Sequence, residues 1–331
     1  MTKAIRVHKT GGPEVLSWEE ISVGHPGQDD ARIRHTAIGV NFIDIYHRTG
    51  LYPVPELPFT PGIEAAGIIE ELGDEVFLRT PALNEGDRVV YASPPVGAYS
   101  EARIIDASRL VQIPKEIDDR TAAALFQKGL TAWYLLRQTY VVQPGDSVLI
   151  HAAAGGVGLL LSQWARHLGA LVIGTVGNDE KAELALANGC HHAIRYDRED
   201  FVARVKDITD GRGVHVVYDS VGKDTFTGSL DCLRPRGMMV SFGQSSGLVP
   251  SFQLSELSSR GSLFITRPVL MDYTSSRDIL IPAAREVFDA FEKGILRVTI
   301  HRELPLARAA DAQIALEARK TVGSTILMPD G

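Results

Sequence analysis

Two rhythms of hydrophobic and polar positions divide the chain. From residue 147 onward, short apolar runs alternate with helix-spaced segments: SVLIH at 147–151, a glycine cluster, helical apolar spacing to about Leu168, then LVIGT at 171–175. A short β-branched run without alternation suits a strand buried on both faces. The rhythm continues through HHAIRY, VHVVYD and GMMVSF, with SLFIT as a sixth strand, and helices fall near 178–188, 198–208 and 222–233. Strand and helix repeated in this way predict a doubly wound parallel sheet in an α/β fold.

Residues 1–120 read differently. Short alternating runs (AIRVH, ARIRHTAI, GIIEEL, DRVVYA, YSEARII) are punctuated by Gly and Pro, which predicts a small β-rich domain. Around Asp118 the spacing turns helical, in DDRTAAALFQKGLTAWYLLRQTY. Beyond about 267 come a helix near 277–293, the run ILRVTI, a helix near 305–318 and the run STILMP. This tail lacks the strand–helix rhythm and is expected to return to the first domain. The division is then a β-rich domain of residues 1–124 and 267–331 around a parallel-sheet domain of residues 125–266.

The glycine cluster is the first candidate for chemistry. In a βαβ unit the first turn is where a dinucleotide pyrophosphate sits on helix N-terminal N–H groups. The fingerprint G-x-G-x-x-G appears as Ala153-x-Gly155-x-x-Gly158, with Gly156 and Val157 between the last two glycines. Alanine, the next smallest residue, replaces only the first glycine. Glycine also marks plain tight turns, but the strand–turn–helix–strand context favours a nucleotide. Gly169 fits the C-terminal stop of the helix.

An NAD site usually carries Asp or Glu at the end of the second strand, about 20 residues on, for the ribose 2′-hydroxyl. This strand ends Thr175-Val176-Gly177, without a carboxylate. Asn178 is a good N-cap, which places Lys181 at the third helical position. A cation there has the wrong sign for a helix N-terminus, although Asp179 and Glu180 offset it. Lys181 is then either an ordinary solvated lysine or a partner for a 2′-phosphate. The second reading makes the nucleotide NADPH.

Composition narrows the class. The 331 residues suffice for two domains, and 44% are hydrophobic, as in ordinary soluble proteins. The net charge of −7 does not indicate a nucleic-acid or anionic-membrane partner. No apolar run reaches membrane-spanning length, and MTKAIRVHKTGG has no signal-peptide core. Two cysteines, Cys190 and Cys232, exclude a disulfide framework and a four-cysteine zinc site, and a cytoplasmic setting follows as the default.

With these residues in hand, the chain resembles the quinone oxidoreductase (zeta-crystallin-like) branch of the medium-chain dehydrogenase/reductase superfamily. The branch signature stands as Gly145-Asp146-x2-Leu149-x3-Ala153-Ala154-Gly155-Gly156-x-Gly158-x4-Gln163-x2-Arg166. NFIDIYHRTGLYP at 41–53, GDRVVYA at 86–92, VVYDSVG at 216–222 and LFITRP at 263–268 are also similar to the family. The resemblance implies a GroES-like catalytic domain, an inserted Rossmann domain and a homodimer joined through Rossmann sheet edges. It further implies that Asn41, Tyr46 and Tyr52 line an interdomain cleft and that Thr131 lies beside the nicotinamide. Either tyrosine alone could equally be a packing residue, and Thr131 could simply bond back to its own helix turn. Lys181 and Tyr196 match the adenosine-phosphate positions. Ser220, Phe242, Gly243 and Ser245 follow strand ends, and Phe264, Thr266 and Arg319 match further cofactor-side positions; Arg319 could otherwise be an exposed helix-end residue.

The zinc alcohol dehydrogenases of the superfamily carry a G-H-E signature, kept here in frame as Gly62-x-Glu64-x2-Gly67-x5-Gly73-x2-Val76. Ile63 replaces the histidine ligand, and the two cysteine positions correspond to Asn41 and Gln127. Isoleucine offers no ligand atom, so no catalytic zinc is expected. His47, His151, His191 and His192 match no metal spacing and read as packed or surface residues. Without a Lewis acid, acceptors that are already electrophilic are favoured. The expectation is NADPH-dependent reduction of a quinone, with an alkenal or enone as the alternative acceptor. A cofactor-binding structural or RNA-binding role is the reading from another class, and nothing in the chain resembles an RNA module.

Overall fold

The computed structural model describes residues 2–329. The chain forms two compact units, Met1–Gln127 with Val298–Gly331, and Lys128–Arg297.

In the second unit, the run SVLI forms a fully buried strand, Ser147–Ile150. It lies third in a six-stranded sheet ordered His192–Arg195, Leu171–Val176, Ser147–Ile150, Val214–Asp219, Leu233–Ser241, Phe264–Thr266. Every neighbouring pair is parallel. In chain order the strands run 3-2-1-4-5-6, the Rossmann arrangement, whose switch point lies between the first and fourth strands. Leu149, Ile173, Ile194 and Val217 join Val205, Phe226 and Leu230 in one core, which is why these strands are apolar throughout. Helix Gly156–His167 stops as expected: Gly169 adopts φ +84° and its N–H bonds Arg166 O at 3.0 Å.

Two helices are shorter than their sequence pattern. Asp200 caps the first, accepting from Val202 N at 2.9 Å, so it runs only over Phe201–Ile208. The second is confined to Phe226–Asp231 because Asp219 organises the preceding loop. Its Oδ1 accepts from Val221 N at 2.7 Å and Gly222 N at 3.0 Å, and its Oδ2 from Thr225 Oγ1 at 2.7 Å.

The first unit holds a seven-stranded sheet. Its main path runs Ile300–Pro305, Ser324–Met328, Asp30–Val40, Glu64–Leu72, Arg88–Ala92, Val111–Gln112, and Ala102–Asp106 also pairs with Asp30–Val40. Strands Thr2–Val7 and Leu16–Ile21 form a separate antiparallel pair, the latter without a clear alternating signal in the sequence. Ser324–Met328 runs antiparallel to Asp30–Val40, with Ile326 opposite Gly39, so the tail does return to the first unit.

The return begins at Val298, not at 267. Residues 267–297, expected with the β-rich domain, belong to the parallel-sheet unit because helix Arg277–Glu292 and its flanks are tied to that unit. Tyr273 stacks on Tyr134 at 4.6 Å between centroids, and Arg297 N donates to Gln163 Oε1 at 2.7 Å. The same ties displace the expected ILRVTI strand. Ile295 and Leu296 donate to Ala290 O at the helix end, and strand pairing starts only at Ile300.

Candidate active site

The turn between the first strand and its helix is compact. His151 N donates to Tyr218 O at 3.0 Å and Ala153 N to Thr175 O at 3.1 Å, so the turn leaves the sheet between the first two crossovers. Ala152 follows with φ +53°, an uncommon conformation for a residue with a Cβ. Gly155 N closes the turn on Ala152 O at 2.9 Å, and Gly155 is the N-cap of Gly156–His167. A Cβ at Gly158 would strike Ala152 O and lie 2.8 Å from Ala153 Cα, so glycine is required for helix and turn to touch. A Cβ at Gly155 would meet only Ala152 O, at 3.2 Å, leaving the space before the turn open. Backbone N–H groups of a helix N-terminus facing open space fit a pyrophosphate. Val157 occupies the first turn and is partly buried.

The alanine in the fingerprint has a counterpart across the sheet. Ala153 is fully buried, and a Cβ at Gly174 would come within 2.6 Å of the Ala153 Cβ. The methyl group that replaces the first glycine is accommodated by a glycine on the adjacent strand.

Asn178 caps helix Asp179–Ala187, its side chain accepting from Lys181 N at 2.8 Å. Lys181 therefore stands at the third helical position, as the spacing predicts. At Gly177 a Cβ would lie 2.6 Å from the Tyr196 hydroxyl. The phenol thus occupies the volume in which an NAD-type carboxylate would begin, and Tyr196 remains 45% exposed. Gly177, Lys181 and Tyr196 come together at the end of the second strand, with no acid at position 177.

The later strand ends also converge. Phe242 N donates to Asp219 O at 2.8 Å, and Ser245 N to Ser220 O at 3.1 Å. A Cβ at Gly243 would be 2.7 Å from Ser220 O, so the two strand-end loops meet at that glycine. Phe264 and Thr266 lie on the edge strand, with Phe264 exposed. Thr131 is buried in helix Asp119–Tyr134. In the first unit, Arg319 ends the turn after helix Ala309–Glu317 with φ +56°, its N–H on Leu316 O at 3.1 Å.

Asn41, Tyr46 and Tyr52 gather around helix Phe42–Thr49. Asn41 is its N-cap, and Asn41 N donates to Asp44 Oδ2 at 2.9 Å, an oxygen that also accepts from Tyr99 Oη at 2.9 Å. The helix ends at Gly50 with φ +80°, and the chain folds back so that Tyr52 N donates to Tyr46 O at 3.0 Å. This sets the Tyr46 and Tyr52 rings 5.0 Å apart, and His47 meets Tyr52 edge-on at 6.2 Å. Burial lowers the pKa of His47, favouring the neutral imidazole.

The three positions that correspond to zinc ligands surround Glu64, a fully buried carboxylate. Its Oε2 accepts from Asn41 Nδ2 at 2.7 Å and its Oε1 from Gln127 N at 2.6 Å, while Ile63 is buried beside it in sequence. An amide nitrogen carries two hydrogens, so Glu64 orients the Asn41 amide without exhausting its donors. This donor set does not fit zinc, and among the described residues no three His, Cys, Asp or Glu side chains converge as metal ligands. His151 is a buried packing residue, its Nδ1 2.8 Å from Thr175 Oγ1 and its Nε2 2.9 Å from Ser229 Oγ; His191 and His192 are at the surface.

Sequence reasoning did not single out Glu64 as an anchor, Asp219 as the organiser of the switch-point loop, or Arg195. The signal for Asp219 was present in VVYDSVG, an acid that ends a buried strand ahead of small residues. Glu64 was marked only as the acid of the Gly62-x-Glu64 frame, and its partners, a side chain and a backbone amide far away in the chain, gave no sign that it serves as an anchor.

A Rossmann sheet with this turn, in one chain with a mostly antiparallel β-rich unit, defines a two-domain dehydrogenase of the dinucleotide-binding class. Comparison with known proteins agrees. Residues 156–276 match the zinc-binding dehydrogenase family and residues 27–115 the alcohol dehydrogenase GroES-like domain. The chain is 49% identical to a 2-haloacrylate reductase of Burkholderia sp over 99% of each protein. It is 48% identical to a quinone oxidoreductase of Pseudomonas aeruginosa, over 99% of this chain and 100% of that one. Escherichia coli quinone oxidoreductase, solved in complex with NADPH, superposes with a TM-score of 0.96 at 47% identity, covering 99% of this chain and 100% of that one. The chain belongs to the quinone oxidoreductase branch of the medium-chain dehydrogenase/reductase superfamily. No helix among the described residues is long and apolar enough to cross a membrane.

Proposed function

We propose that this protein is a metal-free NADPH:quinone reductase. The observation that carries the proposal is Glu64, which takes amide donors from Asn41 and Gln127 where zinc-dependent members of the superfamily hold metal. Amide and phenol donors polarise an acceptor less than a metal ion does, so the site suits acceptors that are electrophilic on their own. NADPH, when bound, supplies the hydride. The protein contributes orientation and hydrogen bonds. Gly155, Gly156, Val157 and Gly158 hold the pyrophosphate at the helix N-terminus. Gly177, Lys181 and Tyr196 receive the 2′-phosphate, and Ser220, Phe242, Gly243, Ser245, Phe264, Thr266 and Arg319 complete the cofactor contacts. Thr131 orients the nicotinamide ring. Asn41, Tyr46 and Tyr52 donate hydrogen bonds to the acceptor oxygen as it gains negative charge, and water can deliver the proton that the reduced acceptor takes up.

The catalytic role falls to Met1–Gln127 with Val298–Gly331, and the nucleotide-binding role to Lys128–Arg297. A homodimer is part of the same proposal. Strand Phe264–Thr266 ends the sheet, so one row of its backbone donors and acceptors has no neighbour within the sheet, and Phe264 is 56% exposed beside it. Buried, unpaired Cys190 and Cys232 support a cytoplasmic location.

A second acceptor class has specific support. The resemblance to a 2-haloacrylate reductase favours electron-poor alkenes, including enones, alongside quinones. The test is a panel of 9,10-phenanthrenequinone, simpler quinones and enones with NADPH and NADH in parallel. Quinones are expected to turn over fastest, enones more slowly, and alcohols with NADP⁺ not at all. NADPH binding without turnover of any acceptor would favour a structural or RNA-binding role instead, and efficient alcohol oxidation would reject the mechanism. Size-exclusion chromatography with light scattering tests the dimer.

A further inference from the structure

The first turn of helix Asp179–Ala187 is an awkward place for a phosphate. Asp179 and Glu180 are exposed carboxylates within two residues of Lys181, and Asp197 follows Tyr196 directly. Acids at those positions repel a 2′-phosphate through water at short range. The structure, however, does not leave Asp179 and Asp197 uncompensated. Arg195, at the end of its strand and with little side-chain exposure, forms a bidentate fork on Asp197, Nε to Oδ1 at 2.9 Å and Nη2 to Oδ2 at 2.7 Å. Its remaining nitrogen, Nη1, donates to Asp179 Oδ1. Arg198 adds longer contacts, 3.7 Å to Asp179 and 4.0 Å to Asp197. Glu199 is committed elsewhere, accepting from Arg195 N at 3.1 Å and pairing with Arg204 at 2.9 Å.

We propose that Arg195 is a positioning residue for nucleotide specificity: by gripping Asp179 and Asp197 it cancels their charge beside Lys181 and Tyr196 and so permits a 2′-phosphate there. The proposal rests on the NADPH reading given above and adds to it a residue that touches no phosphate. With Arg195 present, the two carboxylates Asp179 and Asp197 face two guanidinium groups. Without it, Arg198 alone balances two acids and the locality gains a negative charge. Arginine suits the role because its planar fork holds one carboxylate with two nitrogens while the third reaches a second.

The test uses the full chain and steady-state kinetics with a quinone acceptor at low ionic strength, with NADPH and NADH compared for each protein. R195Q is expected to raise KM for NADPH about tenfold, with kcat little changed and KM for NADH within about twofold of its starting value. D179N alone is expected to leave KM for NADPH unchanged or lower it, and D179N in the R195Q background should recover at least half of the loss on a logarithmic scale. Added salt should shrink the R195Q effect. An equal loss for NADPH and NADH, or no recovery in the double variant, would overturn the proposal and assign Arg195 a folding role. If R195Q does not fold, D179N still decides, since a rise in KM for NADPH on removing that acid contradicts the argument. If the unaltered protein binds NADH as well as NADPH, the NADPH reading itself fails, and this is seen before any variant is made.

Discussion

Replacing Gly177 by alanine tests the nucleotide site with a single methyl group. The backbone there is not in the left-handed region, so alanine brings no conformational strain. The new Cβ would stand 2.6 Å from the Tyr196 hydroxyl and 3.2 Å from its Cζ, closer than such atoms approach. The obstacle is the far end of an exposed side chain, while the Tyr196 backbone stays tied through its N–H to Val176 O at 3.3 Å. The phenol therefore swings aside at small cost to stability. What is lost is one hydrogen bond to a charged phosphate, worth about 1.5–3 kcal/mol when well formed. Because Tyr196 is 45% exposed, the lower figure applies, and KM for NADPH should rise about tenfold. NADH, which has no 2′-phosphate, should be nearly indifferent, and melting temperature should barely move. Parallel kinetics with the two nucleotides measure this, and adding Tyr196→Phe to Gly177→Ala should cause little further loss. An unchanged NADPH-to-NADH ratio would refute the assignment of Tyr196 to the phosphate.

Lys181→Ala should weaken NADPH by about 1.5–3 kcal/mol, measured by fluorescence titration, and leave NADH nearly unchanged; equal losses would remove Lys181 from the phosphate site. Elemental analysis should find no stoichiometric zinc, and chelators should leave quinone turnover intact. Tyr46→Phe or Tyr52→Phe should each lower turnover by about tenfold to a hundredfold, since water still delivers protons; a far larger loss would make that tyrosine an obligatory acid.

The parallel-sheet unit was legible because every element in it is local. Ser147–Ile150, the glycine turn, helix Gly156–His167 and Leu171–Val176 are contiguous, and burial on both faces leaves an unbroken apolar signal. Lys181 takes its expected third helical position because the N-cap Asn178 directly precedes the helix and lies only three residues from Lys181. The errors fall where distant partners decide. Strand Leu16–Ile21 exists through its register with Thr2–Val7 and not through its own alternation. ILRVTI has strand composition, but its backbone donors are taken by Ala290 O and Gln163 Oε1, groups that no local pattern reveals. The boundary near 267 moved to Val298 for the same reason. In the candidate site, Asn41 and Glu64 were each legible by resemblance, whereas the hydrogen bond that joins them was not.

Glu64 and Asp219 show a common physical device behind both halves of the chemistry. Each is a fully buried carboxylate that accepts hydrogen bonds from amide or hydroxyl groups, Glu64 from Asn41 and Gln127 and Asp219 from Val221, Gly222 and Thr225. A buried carboxylate that lacked such partners would be costly, so each acid constrains the geometry of the groups that satisfy it. Glu64 thereby fixes the Asn41 side chain at the start of the helix that carries Tyr46. Asp219 fixes the Ser220–Thr225 loop, and its backbone carbonyl takes Phe242 N, so the fourth and fifth strand ends share one anchor. The device trades charge for position. A metal ion would have fixed similar groups and also supplied strong polarisation. A carboxylate fixes them without supplying such polarisation. On the proposed reading, a site built on Glu64 is selective by weakness: it would orient an acceptor and leave the acceptor's own electrophilicity to set the rate.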